Sequence, residues 1–374
     1  MDLGGNEAGG SQNVWDFPVY GLAPVWFKTV STHVRGLGVM LTLIRTLGRV
    51  LRTINARHEV IVSAGSIGTP QLLLNSGIGD ATELKRLGIP AFHNLPDVGK
   101  YFRDHASMTF PYARTAQGAL PPLDRAAALQ QWQTSKTGPF SDRGIGSHQL
   151  LFARIAANSS VWKNHNDPAA GPNVPHMELL PVNADVPGGF NICGALLVIA
   201  QPFSSTQTPF VQGEDPFSTF AHVNILGGTV GVRSSNPFDD PLVNPAYLAE
   251  QVDLDLYAEA IRLSKKFFTG PNWSTILGAP QYPDPDILSR ADWEDAMRNE
   301  VSSGIHGVGG AIMSPRGSDY GVVDPDLKVK GLRGLRVVDA SVMPHIPDGH
   351  TAVPTYIIAE RASDLILQDW SLPV

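Results

Sequence analysis

Apolar residues first fall into a readable pattern after His58, where Val60-Ile61-Val62 is a β-branched run closed by Ser63-Ala64-Gly65. A run of this kind ended by a glycine turn predicts a short strand with a helix directly after it. Thr69-Pro70 supplies an N-cap residue and a proline at the first helical position, Gln71 to Ser76 form the body and Gly77 stops it. Asp80-Ala-Thr-Glu83 then reads as a capping box for a second helix, with Leu84 and Leu87 inward, Gly88 as terminator and Pro90 beyond. The stretch 111–234 mixes proline-rich loops with strand-like runs at 192–200 and 220–232, the pattern of a sheet region with long loops. Residues 253–268 place Leu256, Ala260, Leu263 and Phe267 on one face of a helix. Residues 335–338 predict a second buried strand, and a closing helix after His350 carries Ile357, Ile358, Ala362, Leu365 and Ile366 on one face. Ahead of His58, an aromatic stretch at 15–27 precedes 41–55, where Arg45, Arg49 and Arg52 interleave with apolar residues. That piece reads as a surface helix or strand with solvated arginines more readily than as a membrane-surface device.

Composition narrows the class. The 374 residues suit two domains, or one domain with a large insertion, and 43% hydrophobic content excludes disorder. Charged residues are only 17%, while 37 Gly and 30 Pro imply long, shaped loops. A net charge of −7 offers no basic field for phosphate backbones, which argues against nucleic acid as a partner. Cys193 is the lone cysteine, so neither an internal disulfide framework nor a cysteine-based zinc site is expected, and no metal is assigned. The most apolar runs, 36–44 and 192–200, fall well short of the roughly 20 residues of a spanning helix, so no membrane partner is expected. The opening MDLGGNEAGG has no basic, apolar export pattern, although Asn158 and Asn272 begin glycosylation sequons.

Several segments together carry a resemblance. GSIGTPQLLLNSGIG (65–79), DVGKYFRDH (97–105), DPAAGPN (167–173), SNPFDDPLVNPAYL (235–248), HGVGGAIMSP (306–315), YGVVDPDLKVKGLRGLRVVDASVMP (320–344) and GHTAVPTYIIAERASDLIL (349–367) resemble the glucose-methanol-choline (GMC) flavin oxidoreductases. In detail they look like the aryl-alcohol oxidase branch. The resemblance implies an α+β or α/β chain with a residual FAD-binding domain at 58–110 and 306–374, a sheet-based substrate domain at 111–305, and an unassigned segment at 1–57. The glycine-rich G-x-G-x-x-G turn that opens such enzymes is not found; GGNEAGG (4–10) and GVGG (307–310) have other spacings. The chain therefore resembles the C-terminal two-thirds of a family member.

The implied activity is oxidation of a primary, aromatic alcohol to the aldehyde, with FAD as cofactor, a histidine base, hydride transfer to flavin, and oxygen or another acceptor taking the electrons. Imidazole suits the base because its ordinary pKa of about 6.5 lies near working pH. By resemblance His306 takes the hydroxyl proton and His350 holds the substrate oxygen. His345 reads as a pocket-mouth or exposed loop histidine. Gly307 lets backbone approach a flat ring, or is a turn glycine. Thr351 caps the last helix, whose positive end then faces the flavin. Asp339 and Ala340 contact the cofactor, or Asp339 caps a turn. Residues 65–68 approach the cofactor, or form a purely structural turn. Phe102, Trp132 and Phe140 form an aromatic substrate wall, or are core. Similar full-length enzymes are secreted. The alternative from another class is a non-catalytic truncated chain that does not retain FAD.

Overall fold

The computed structural model describes residues 56, 58–115, 124–142, 150–169, 171–182, 192–198, 227–275 and 277–371. The expectations for 15–27 and 41–55 lie outside the described residues. Strand β1 (Val60–Val62) leads into α1 (Gly65–Asn75), β2 (Ile78–Gly79), α2 (Ala81–Arg86) and β3 (His93–Asn94). Strand β4 (Ala106–Arg114) is followed by α3 (Arg125–Ser135), α4 (Pro139–Asp142), β5 (Leu151–Ala153), β6 (Met177–Val182) and β7 (Ile192–Val198). After the pair β8 (Thr229–Gly231) and β9 (Leu242–Asn244) come α5 (Gln251–Phe268), β10 (Leu277–Pro280), α6 (Arg290–Glu300) and β11 (Ser302–Ser303). Strand β12 (Leu335–Val337) and helix α7 (Ala352–Asp369) complete the order.

The larger sheet runs β10-β4-β7-β6-β5, with β11 also on β4. Its pairings are antiparallel, with β7 in the middle: Ala106 and Met177 both lie opposite Val198. Against it packs α5, so that Met108, Tyr112, Met177, Leu179, Leu254, Tyr257, Ile261, Phe268, Trp293 and Met297 share one buried core. A second core holds Val62, Leu73, Ile78, Leu84, Val322, Val323, Leu335, Val337 and Val342. Here β1 and β12 pair in parallel, Val60 opposite Leu335 and Val62 opposite Val337, across more than 270 residues of chain. The mixture of helices and sheets is that of the expected fold class. The 227–244 stretch differs from expectation: Val232 belongs to the second core, and Val230 and Val243 pack on Phe102, so β8 and β9 sit with the β1–β12 region.

Local signals succeed or fail according to where their partners lie. Asp80 caps α2 as predicted, its Oδ1 accepting from the Thr82 and Glu83 N–H groups at 2.8 and 3.1 Å. The reverse half of the box is missing, because the Glu83 carboxylate turns to Arg86 instead, 2.7 Å away. Helix α1 starts at Gly65, not at Thr69, and Pro70 lies inside it. The cause is remote: Asp339 Oδ2 accepts from the Gly65 N–H at 3.0 Å and the Thr69 hydroxyl at 2.5 Å, which stabilises an earlier start. On α5, Leu256 and Ala260 are buried, whereas Phe267 is exposed and Phe268 takes the inward place. On α7 the anticipated inward face is open at Ile357, and Ala362 is its one fully buried residue.

Candidate active site

The site begins where β4 enters its sheet. Arg103 and Val308 exchange backbone hydrogen bonds at 2.9 and 2.8 Å, and the Gly304 N–H donates to the His105 carbonyl at 2.8 Å. These bonds lay residues 304–308 along 103–105. Gly309, at φ +78°, is required by that close approach, since a Cβ there would lie 2.1 Å from the Tyr101 carbonyl oxygen. Gly307 plays a similar part, for an added Cβ would meet the Ser66 hydroxyl at 2.9 Å and the Phe102 ring at 3.1 Å.

His306 is consequently held from two consecutive residues. Its backbone N–H donates to Asp104 Oδ1 at 2.8 Å, and its Nδ1 lies 3.0 Å from His105 Nδ1. Asp104 Oδ2 in turn accepts from the Tyr247 hydroxyl at 2.5 Å and from the Ser303 hydroxyl. On the other side of His306 stands His350, with ring centroids 4.6 Å apart and planes 54° apart. His350 is anchored through Nε2 to Glu178 Oε1 at 2.8 Å; the carboxylate is fully buried on β6, while the imidazole is 47% exposed. The structure thus brings the two sequence-predicted histidines together from segments 44 positions apart in number.

Burial and then the neighbouring His350 hold the pKa of His306 below its ordinary value, with Asp104 and Glu178 pulling the other way. His306 is therefore neutral near pH 7 and able to accept a proton. His105 is pushed down to about 3, by burial first and by His306 and His350 next. His345, read as a pocket-mouth or exposed loop residue, is half-buried, and burial and then Arg103 lower its pKa to about 4.

The residues expected at the cofactor behave less uniformly. Asp339 directs its carboxylate into the protein, accepting from the Gly65 N–H, the Thr69 hydroxyl and the Ser341 N–H, the contacts of its capping reading. Ala340 accepts from the Gly309 N–H at 3.2 Å, joining this turn to the histidine segment. Thr351 occupies the N-cap position of α7 but makes no side-chain cap; its carbonyl accepts from Thr355. Of its two readings, Phe102 takes the core one: it is 3% exposed in a small core with Val230 and Val243, because the glycine at 307 leaves room for its ring. Trp132 and Phe140 lie on the α3–α4 hairpin, Trp132 under the Lys136 ammonium at 4.2 Å and Phe140 near Arg125. Among the described residues no cluster of His, Cys, Asp and Glu fits a metal, and no helix is long and apolar enough to cross a membrane.

Sequence reasoning missed Glu178, Asp104, His105 and Tyr247. Asp104 and His105 stand in the DVGKYFRDH segment, so a signal existed for them. Glu178 sits in an ordinary strand-like run, MELLPV, and reaches the site through sheet register alone.

A chain with two buried cores thus carries a histidine pair at one site. The N-terminal model of the GMC oxidoreductase family matches residues 29–107 and the C-terminal model matches 227–359, together more than half of the chain. The chain belongs to the GMC oxidoreductase family. A pyranose dehydrogenase of Agaricus xanthodermus is 34% identical over 318 residues, 84% of this chain and 50% of that protein. An alcohol dehydrogenase (acceptor) of Pseudomonas putida is 31% identical over 83% of this chain and 51% of its own length. A formate oxidase structure from Aspergillus oryzae superposes with a TM-score of 0.74 at 25% identity, covering 92% of this chain and 60% of that one. A fungal aryl-alcohol oxidase at 23% identity and TM-score 0.66 shares the fold, over 92% of this chain and 60% of its own. The chain spans about half the length of the curated relatives it matches. These matches give no support to the reading of a non-catalytic remnant.

Proposed function

We propose that the protein serves FAD-dependent oxidation of the CH–OH group of a small alcohol or sugar to the carbonyl compound. The observation that carries this reading is the neutral, buried His306 set beside a half-exposed His350 that is anchored on Glu178. His306 receives the hydroxyl proton. His350, tied through Nε2, keeps Nδ1 for the substrate oxygen and orients it. The Asp104 carboxylate, bonded to the His306 N–H, holds the base in place and favours its charged form once protonated.

The residues beside this pair fit the ring end of a flavin. Helix α7 is 18 residues long, starts directly after His350, has no side-chain cap and carries no acid in its first turn. Gly349 faces open space. A helix N-terminus left open in this way favours an anionic ring edge. Gly349, Thr351 and the first-turn N–H groups would hold that edge, and the bound flavin would supply the two-electron acceptor. Oxygen or another acceptor would take the electrons onward.

The finer part of the reading is a primary aromatic alcohol, tested against a sugar. The full chain loaded with FAD is mixed anaerobically with benzyl alcohol or with an aldopyranose, and bleaching of the flavin band is followed. Bleaching by either supports the reading, and the faster substrate assigns the class. His306→Ala should slow bleaching by about 10²–10⁴-fold. A variant as fast as the native chain would overturn the assignment of the base.

A further inference from the structure

Two neutral imidazoles that meet nitrogen to nitrogen must divide the roles, one ring donating its proton and the other accepting. His105 and His306 meet in this manner, Nδ1 to Nδ1 at 3.0 Å, with ring planes at 87°. The direction of this one bond decides whether His306 can act as a base. Were His105 to donate, His306 would carry its own proton on Nε2 and have no lone pair left to offer a substrate. Were His306 to donate, its Nε2 would be bare.

We infer that His105 is a positioning residue that accepts the Nδ1–H of His306 and so keeps the lone pair of His306 on Nε2, the atom left to receive a substrate proton. The surroundings of the two rings set that direction. His105 is completely buried, which disfavours a cation on it, and the nearby His306 and His350 lower its affinity for a proton further. Asp104 Oδ1 lies 2.8 Å from the His306 backbone N–H and Glu178 is bonded to the adjoining His350, so these carboxylates favour a proton on His306, whose Nδ1–H then donates to a neutral His105. His306 can therefore gain a proton on Nε2 while its Nδ1–H bond to His105 stays in place. In this arrangement a neutral histidine does for the base what a carboxylate does in other enzymes, without adding a further carboxylate to Asp104 and Glu178.

The use of the lone pair rests on the base role proposed above for His306, but the tautomer does not, and the two can fail separately. Long-range proton–nitrogen correlation spectra of the full chain with nitrogen-labelled histidine report which ring nitrogen of His306 is protonated, with no need of cofactor or turnover. The native chain should show His306 predominantly as the Nδ1–H form. His105→Asn, which returns an amide oxygen as an acceptor at the place of Nδ1, should keep that form. His105→Leu should convert most of it to the Nε2–H form, with the signals of His93 and His165 unchanged as a check on the fold. A native chain with His306 in the Nε2–H form, or a folded His105→Leu chain with no change, would overturn the inference. If His105→Leu does not fold, the native tautomer and the His105→Asn spectrum still decide it. Loss of the base role alone would appear instead as a fully active His306→Ala enzyme with the Nδ1–H tautomer intact in the native chain.

Discussion

Helices α5 and α7 are each 18 residues long and are held by opposite means. Helix α5 buries eight side chains, among them Leu254, Tyr257, Ile261 and Phe268, against the larger sheet. Helix α7 buries Ala362 alone and leaves Val353, Tyr356 and Ile357 exposed. It is secured at its ends. At the far end Asp369 meets the fully buried Arg336 at 2.6 Å, and the indole N–H of Trp370 donates to Glu59, which also pairs with Arg336. At the near end, the preceding His350 is tied to Glu178. An apolar face fixes a helix along its length, whereas polar tethers fix its ends and leave its first turn open to the site.

The sharpest way to break this contrast is to cut the tether. Arg336→Ala leaves Glu59 and Asp369 without their shared cation and should cost about 3–5 kcal/mol, read from the urea midpoint of unfolding. A cost comparable to that of a surface substitution would mean that α7 is held by something else. On α5, Ile261→Ala should cost about 2–5 kcal/mol through the cavity it leaves, with the denaturant slope unchanged.

A smaller effect concerns pH. His105 and His345 have folded pKa values of about 3 and 4, against about 6.5 when unfolded. Above the unfolded value neither contributes. As pH falls below it, the unfolded chain takes up protons that the folded chain refuses, and stability declines towards the folded values. Replacing His345 by Gln should flatten that acid limb in a plot of urea midpoint against pH, and an unaltered slope would refute the burial of a neutral ring. The smallest expected change is Ile357→Ala, within about 0.5 kcal/mol in calorimetry, as for other surface positions. A loss like that of Ile261→Ala would show that this face of α7 is covered.

The same contrast explains what could be read from the chain. Helix α5 was legible because its partners lie on one side at helical spacing, and its single misplaced residue, Phe267, is one step from the buried Phe268. The Asp80 cap was legible because cap and helix are neighbours. The start of α1 was not, since Asp339 caps it from 270 positions away, and no local pattern carries that contact. The apolar spacing of α7 predicted an inward face, but spacing alone does not say whether a partner surface is present. In the site, His306 and His350 were legible through the motifs around them. Glu178 was invisible because its register on β6 is what brings it to His350, and for Phe102 the sequence left wall and core open, whereas the ring fills the space conceded by Gly307.

Segment 99–104 has one further consequence, for change in chain length. Gly99 donates to Gly310, Lys100 accepts from Gly310, Phe102 pairs with Gly228, Arg103 with Val308, and Asp104 holds the His306 N–H. These ties follow almost residue by residue, and His306 sits at the end of the series. Adding or removing one residue here would put Asp104 and His105 out of step with His306 together, because both act from fixed places along one ladder. Substitutions in this stretch can be graded in effect, but an insertion or deletion can only disconnect His306 from both of its supports.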